Sequence, residues 1–137
     1  MAARLAELSQ EGVSLGPIGE VWVDYLDPAA DGRAYKHKEF PFSGGKDGQY
    51  VVMALCDEFC SDIDLLLYPR GGVDAQAKPL QADTETDAEP LLLPGLLGPP
   101  LEDGDYDVEV RMYSCEEVYC YFAVGLYGFQ DLEVEGQ

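Results

Sequence analysis

Hydrophobic and polar positions alternate along most of this chain with a period of two, the repeat that places successive side chains on opposite faces of a β-strand. After Gly16-Pro17, Val21, Val23 and Tyr25 fall on one face and Trp22 and Asp24 on the other. A second strand is predicted over 35–42, with Phe40 and Phe42 pointing the same way and Pro41 marking an edge strand or a strand end. QYVVMAL over 49–55 reads as a buried strand. Beyond Asp64 the next strand is apolar on both sides, Ile63, Leu65 and Leu67 against Leu66 and Tyr68, which predicts a place inside a sheet. Weak strands are expected near 79–84 and 89–93.

The cleanest alternation runs over 105–113, where Tyr106, Val108, Val110 and Met112 face the expected core and Asp107, Glu109 and Arg111 face water. A final strand over 119–129 sets Phe122, Val124 and Leu126 against Tyr121, Ala123 and Tyr127, with Gly125 allowing close backbone approach. Asparagine is absent, so turns must be built from Gly, Asp and Pro. Seven or eight short strands between such turns predict an all-β fold, a two-sheet antiparallel β-sandwich. The period-two pattern fails only at the start, where Leu5 and Leu8 share a helical face and Gly12 is a terminator. The expected organisation is a short N-terminal helix (2–11) and linker over 1–17, a sandwich domain over 18–129 and an acidic tail over 130–137.

Composition narrows the partners. Hydrophobic residues make up 47% of the 137, enough for one folded core, while 27 acidic against 8 basic residues give a formal charge of −19. Such a surface repels phosphate backbones, which argues against nucleic acid and leaves solubility, cation binding or a basic partner as readings of the charge. No run approaches the ~18 apolar residues of a membrane helix, and 91–101 is interrupted by Pro94, Gly95 and the Gly98-Pro99-Pro100 step, so no membrane insertion is expected. The opening MAARLAELSQEG is too short and too acidic for a secretory signal; if the protein is exported, its signal is expected to have been removed.

Four cysteines fall in two close pairs, Cys56 with Cys60 and Cys115 with Cys120. Each pair flanks a turn, so local bridges 56–60 and 115–120 are favoured over cross-pairing, and either arrangement implies an oxidising compartment. A zinc site made of all four is the alternative, opposed by the neighbouring Asp57, Glu58, Glu116 and Glu117. Asp57, Glu58, Asp62, Asp64 and Asp83, with Glu85 or Asp87, could supply carboxylate oxygens to calcium; the plainer reading has Asp62 and Asp64 accepting turn amides and the others solvated. His37 is the only histidine and sits in the basic run 33–38, as a solvent-facing strand residue. No catalytic set is seen and no cofactor is required, with calcium possible. Trp22, Tyr119 and Tyr121, with Tyr25 and Tyr127, offer aromatic surface for a sugar or peptide unless the sandwich buries them.

QYVVMAL, a turn, then Asp62-x-Asp64-Leu65-x-Leu67-Tyr68, the later DGDYDVEVR over 103–111 and Tyr121-Phe122-Ala123-Val124 together resemble the bacterial pre-peptidase C-terminal domain. The resemblance covers about 48–128. It implies a jelly-roll-like sandwich acting as an accessory module of secreted proteases, with relatives that bind collagen together with calcium. It carries over no catalytic residue, and the usual pattern lacks the two cysteine pairs. The reading is therefore a non-enzymatic secreted or periplasmic module with an accessory binding or structural role, its partner an unidentified protein or glycan outside the cytosol. A calcium-dependent protein- or glycan-binding domain is the alternative, and a hydrolase using His37 a third.

Overall fold

The computed structural model describes residues 13–27, 34–84, 89–117 and 119–131; the expected N-terminal helix and the tail beyond 131 lie outside the described residues. Nine strands are found among them: β1 (Val13–Pro17), β2 (Trp22–Leu26), β3 (Ala34–Phe42), β4 (Tyr50–Cys56), β5 (Cys60–Pro69), β6 (Gln81–Asp83), β7 (Leu91–Leu92), β8 (Gly104–Cys115) and β9 (Cys120–Asp131). They make two antiparallel sheets, one ordered β1-β9-β4-β7 with β2 also on β9, the other β3-β8-β5-β6. The predicted β-sandwich is thus the observed fold. No helix among the described residues is long and apolar enough to cross a membrane.

Two details depart from the alternation pattern. Residues 13–17, expected as linker, form a strand that pairs with β9 from Val13↔Asp131 to Pro17↔Tyr127, and β2 continues along β9 from Trp22↔Val124 to Leu26↔Cys120. Gly19, at φ 70°, interrupts the two. Pro17 gave the pattern a false stop; it ends a strand bonded to β9, a position that tolerates a residue with no N–H to donate. Pro41 was read correctly, since β3 is an edge strand.

The core lies between the sheets. Trp22 packs edge-on to Phe122 (5.0 Å between ring centroids) and tilted on Phe40 (6.2 Å), while Phe42 meets Tyr50 and Tyr106, each at 5.0 Å. Ile63, Leu65 and Leu67 of β5 and Val108, Val110 and Met112 of β8 fill the space beneath them. Each buried aliphatic side chain of this kind contributes about 1.5–3 kcal/mol. A smaller cluster of Val51, Met53 and Phe129 lies on the other face of the first sheet.

The outer face of β8 is not the water-facing side that its charges suggest. Asp107 and Glu109 are 4% and 3% exposed. Residues 70–79 fold back over them, with the Val73 amide 3.4 Å from Asp107 Oδ2. Burial of a carboxylate is costly unless it is paired. Glu109 Oε1 accepts from Arg111 Nε at 2.7 Å and from the Tyr68 hydroxyl at 3.2 Å, and Arg111 Nη2 donates back to Tyr68 at 3.1 Å. Burial first, then the charge of Glu109, pushes the Tyr68 phenol above its ordinary value, so it remains a donor in this triangle.

Asp64, on the same face, is 6% exposed. Burial, with the charge of Asp62 behind it, raises its carboxyl above the ordinary range; a Tyr113 hydrogen bond and Arg111 oppose the rise without cancelling it. A carboxyl raised on folding favours stability below its ordinary pKa, and that contribution is lost as pH rises through the folded value. Asp64→Asn should therefore unfold at a higher urea concentration than the wild type at pH 7, with the difference shrinking toward pH 3. A variant that is less stable at neutral pH would contradict the assignment.

Candidate functional site

Both cysteine pairs form the predicted local bridges: Cys56–Cys60 with Cα atoms 5.7 Å apart and Cys115–Cys120 with Cα atoms 6.0 Å apart. The turns they close are not hairpins within a sheet, as expected of adjacent strands. β4 and β9 belong to the first sheet and β5 and β8 to the second, so each disulfide spans a crossover between layers. The crossovers lie side by side, because Cys60 and Cys115 are register partners on β5 and β8 and Cys56 is opposite Phe122 on β9. One end of the sandwich is closed twice by covalent clamps.

Asp57 joins the two crossovers. Its Oδ1 accepts the Phe59 amide of its own turn at 2.9 Å, and its Oδ2 accepts the Tyr121 amide of the other at 2.9 Å. Its backbone N–H donates to the Tyr121 carbonyl at 3.0 Å, and the Glu116 amide donates to the Phe59 carbonyl at 2.8 Å. The three-residue turn Asp57-Glu58-Phe59 is too short to turn Phe59 inward, and its ring is left 39% exposed.

Beside this knot stands an aromatic cluster. Tyr25 and Tyr121 are cross-strand partners on β2 and β9, and Tyr119 precedes Cys120. Their rings lie 5.3 Å (Tyr25–Tyr119), 5.4 Å (Tyr119–Tyr121) and 6.2 Å (Tyr25–Tyr121) apart, within the range of favourable aromatic pairs. All three are 44–50% exposed, and Val23 beside them is 64% exposed. Tyr119, Tyr121 and Phe59 line a cleft of about 350 Å³ together with Asp57 and Glu117. The Tyr121 phenol is held above its ordinary value, first by its hydrogen bond with Tyr119 and in smaller part by the charges of Tyr119 and Asp57.

Among the other expected site residues, Asp62 and Asp83 lie close enough to Asp64 for their charges to add to burial in raising its carboxyl, and the rest are dispersed. Trp22, 8% exposed, belongs to the core, which removes it from the aromatic surface. Glu58 is exposed at the tip of its turn. Asp62 occupies a bulge in the β5–β8 pairing, its Oδ1 buried with no hydrogen-bond partner among the described residues, and Asp64 follows on β5. Asp83 accepts the Leu91 amide at 2.9 Å at the opposite edge of β5, in β6. No group of three or more His, Cys, Asp or Glu side chains among the described residues is arranged to hold a metal ion. His37 stands opposite Glu109 on β3, on the outer face of the second sheet, with Asp74 Oδ1 3.5 Å from its Nε2.

A larger cavity of about 470 Å³ lies under residues 73–79, lined by Tyr35, Gln76, Arg111 and Glu109 among others. Its charged groups already satisfy one another in the Glu109–Arg111–Tyr68 triangle. The rings of Tyr119 and Tyr121 stay about half exposed despite their contact with each other, which makes the clamped end the better candidate. Phe59 and Glu117 were missed from sequence as parts of it. The available signal was that an apolar residue trapped between two bridged cysteines has no room to reach the core.

Asp57→Ala removes two acceptors to backbone amides and should lower unfolding free energy by about 2 kcal/mol. Asp57→Asn keeps one acceptor oxygen and should cost roughly half as much, a ranking that urea melts would check. Removal of one clamp by Cys56→Ala/Cys60→Ala should cost about 2 kcal/mol on the loop-closure estimate for so short a loop. No protein-family model and no curated protein matches the chain.

Proposed function

We propose that the chain is a non-enzymatic module of an exported protein, secreted or periplasmic, that binds a macromolecular partner through the tyrosine surface at its disulfide-clamped end. The observation that carries this reading is the packed trio Tyr25, Tyr119 and Tyr121, left about half exposed on the most heavily cross-linked part of the molecule. Solvent-facing aromatic rings held in mutual contact supply large contact area at little conformational cost, the property that enriches tyrosine in binding surfaces. The clamps fix that surface before a partner arrives, so little ordering entropy is lost on association.

Two disulfides are compatible with an extracellular or periplasmic location. The resemblance of 48–128 to the pre-peptidase C-terminal domain points the same way, to an accessory module that works beside a catalytic partner. Calcium dependence has no comparable support, since Asp57 already accepts two amides and Asp83 is engaged by the Leu91 amide.

A photo-crosslinking residue placed at Tyr121 should capture a discrete partner on the native cells, whereas the same residue at Lys38, exposed on the second sheet, should not. Equal capture from both positions, or none from Tyr121, would overturn the reading.

A further inference from the structure

The cleft beside the tyrosines has its own chemistry, and the protein itself displays what that chemistry holds. Lys36 reaches across from β3 to β2, with its Nζ 2.8 Å from Asp24 Oδ1 and 4.2 Å from the centroid of the Tyr25 ring. An ammonium group is bound there by one aromatic face and one carboxylate. Burial alone would raise the Asp24 carboxyl, but the hydrogen bond from Lys36, the Tyr25 amide and the charge of Lys36 outweigh it and hold the carboxyl below its ordinary value. The Nζ–Oδ1 separation of 2.8 Å is that of a direct ion pair.

The cleft repeats those two elements. The rings of Tyr119, Tyr121 and Phe59 line it, together with Asp57 and Glu117. Both Asp57 oxygens accept backbone amides, so its carboxylate is fixed at the wall of the cleft. An aromatic face attracts a cation through its quadrupole, by about 0.5–1 kcal/mol at an exposed site. The net charge of −19 adds a long-range field that draws basic molecules toward the surface and repels acidic ones.

We propose that the Tyr119–Tyr121–Phe59 cleft receives a lysine or arginine side chain from a basic segment of the partner protein. This rests on the tyrosine surface being the binding face, and adds to it the chemical class of the occupant. Tyr25 with Lys36 continues the same surface, so a partner side chain in the cleft would lie beside a cation site the protein has already filled for itself.

The test uses hexalysine as probe, with hexaglutamate and cellohexaose as comparisons, and follows binding by calorimetry and by the NMR shifts of the tyrosine rings. Hexalysine should bind and perturb Tyr119 and Tyr121, and the other two should not. Tyr121→Leu should weaken hexalysine about two- to fivefold and Tyr119→Leu/Tyr121→Leu about tenfold, while Tyr121→Phe, which keeps the aromatic face, should bind nearly as the wild type does. An unchanged melting temperature shows that these exposed substitutions leave the fold intact. If Tyr121→Leu binds hexalysine as well as wild type does, the attraction is diffuse charge alone and the proposal fails. If cellohexaose binds in a Tyr121-dependent way and hexalysine does not, the tyrosine surface survives as a binding face and the cationic occupant is wrong. No Tyr121-dependent binding of any probe overturns the occupant, and the crosslinking result then decides separately whether the surface binds at all.

Discussion

The carboxylate of Asp57 ties together two chain crossovers that are distant in sequence and adjacent in space. Each crossover passes from one sheet to the other, and each is short enough for a disulfide to span it. The β4–β9 and β5–β8 pairings already set them side by side. With Asp57 accepting the amides of Phe59 and Tyr121, and the Glu116 amide bonded to the Phe59 carbonyl, they become a single cap. Hydrogen bonds to a charged acceptor are roughly twice as strong as neutral ones, which suits a position where the backbone makes no regular ladder.

The candidate site inherits its order from that cap. Tyr121 is the residue after Cys120 and carries the amide that Asp57 holds, so the backbone beneath its ring is held by the same bond that joins the loops. Tyr119 and Tyr25 then pack against it, and Phe59 is pinned on the other side by its own short turn. Rigidity, aromatic exposure and negative charge meet at one place for a local reason. The residues that close the sandwich are the residues that form the cleft.

Much of this fold was legible because period-two alternation reports directly on the two faces of a strand. The long strands β3, β4, β5, β8 and β9 lie within a few residues of their predicted spans, and the inward sets Phe40 with Phe42 and Val108 with Val110 are as the pattern implied. The local disulfides were legible from spacing. Alternation says nothing about which strand pairs with which, however, and so the cysteine turns passed for hairpins when they are crossovers between layers. It also takes charge as a sign of water: Glu109 is buried because Arg111 and Tyr68 satisfy it beneath residues 70–79, a contact between segments far apart in sequence. Asp57 was singled out as a metal ligand, when its neighbours Phe59 and Tyr121 supply amides that only the folded chain brings within reach.

Native-state hydrogen exchange of Asp57→Ala tests the cap most directly, read at the Glu116 amide. That amide bonds to the Phe59 carbonyl, whereas the Asp57 carboxylate bonds the Phe59 and Tyr121 amides, so it reports on whether the crossovers are coupled rather than on the bonds removed. The account predicts that Glu116 loses protection in the variant while the amides of Val110 and Val124, inside the two sheets, keep most of theirs. Unchanged protection at Glu116 would mean that the two crossovers hold their shape independently, and that Asp57 does not order the tyrosine surface.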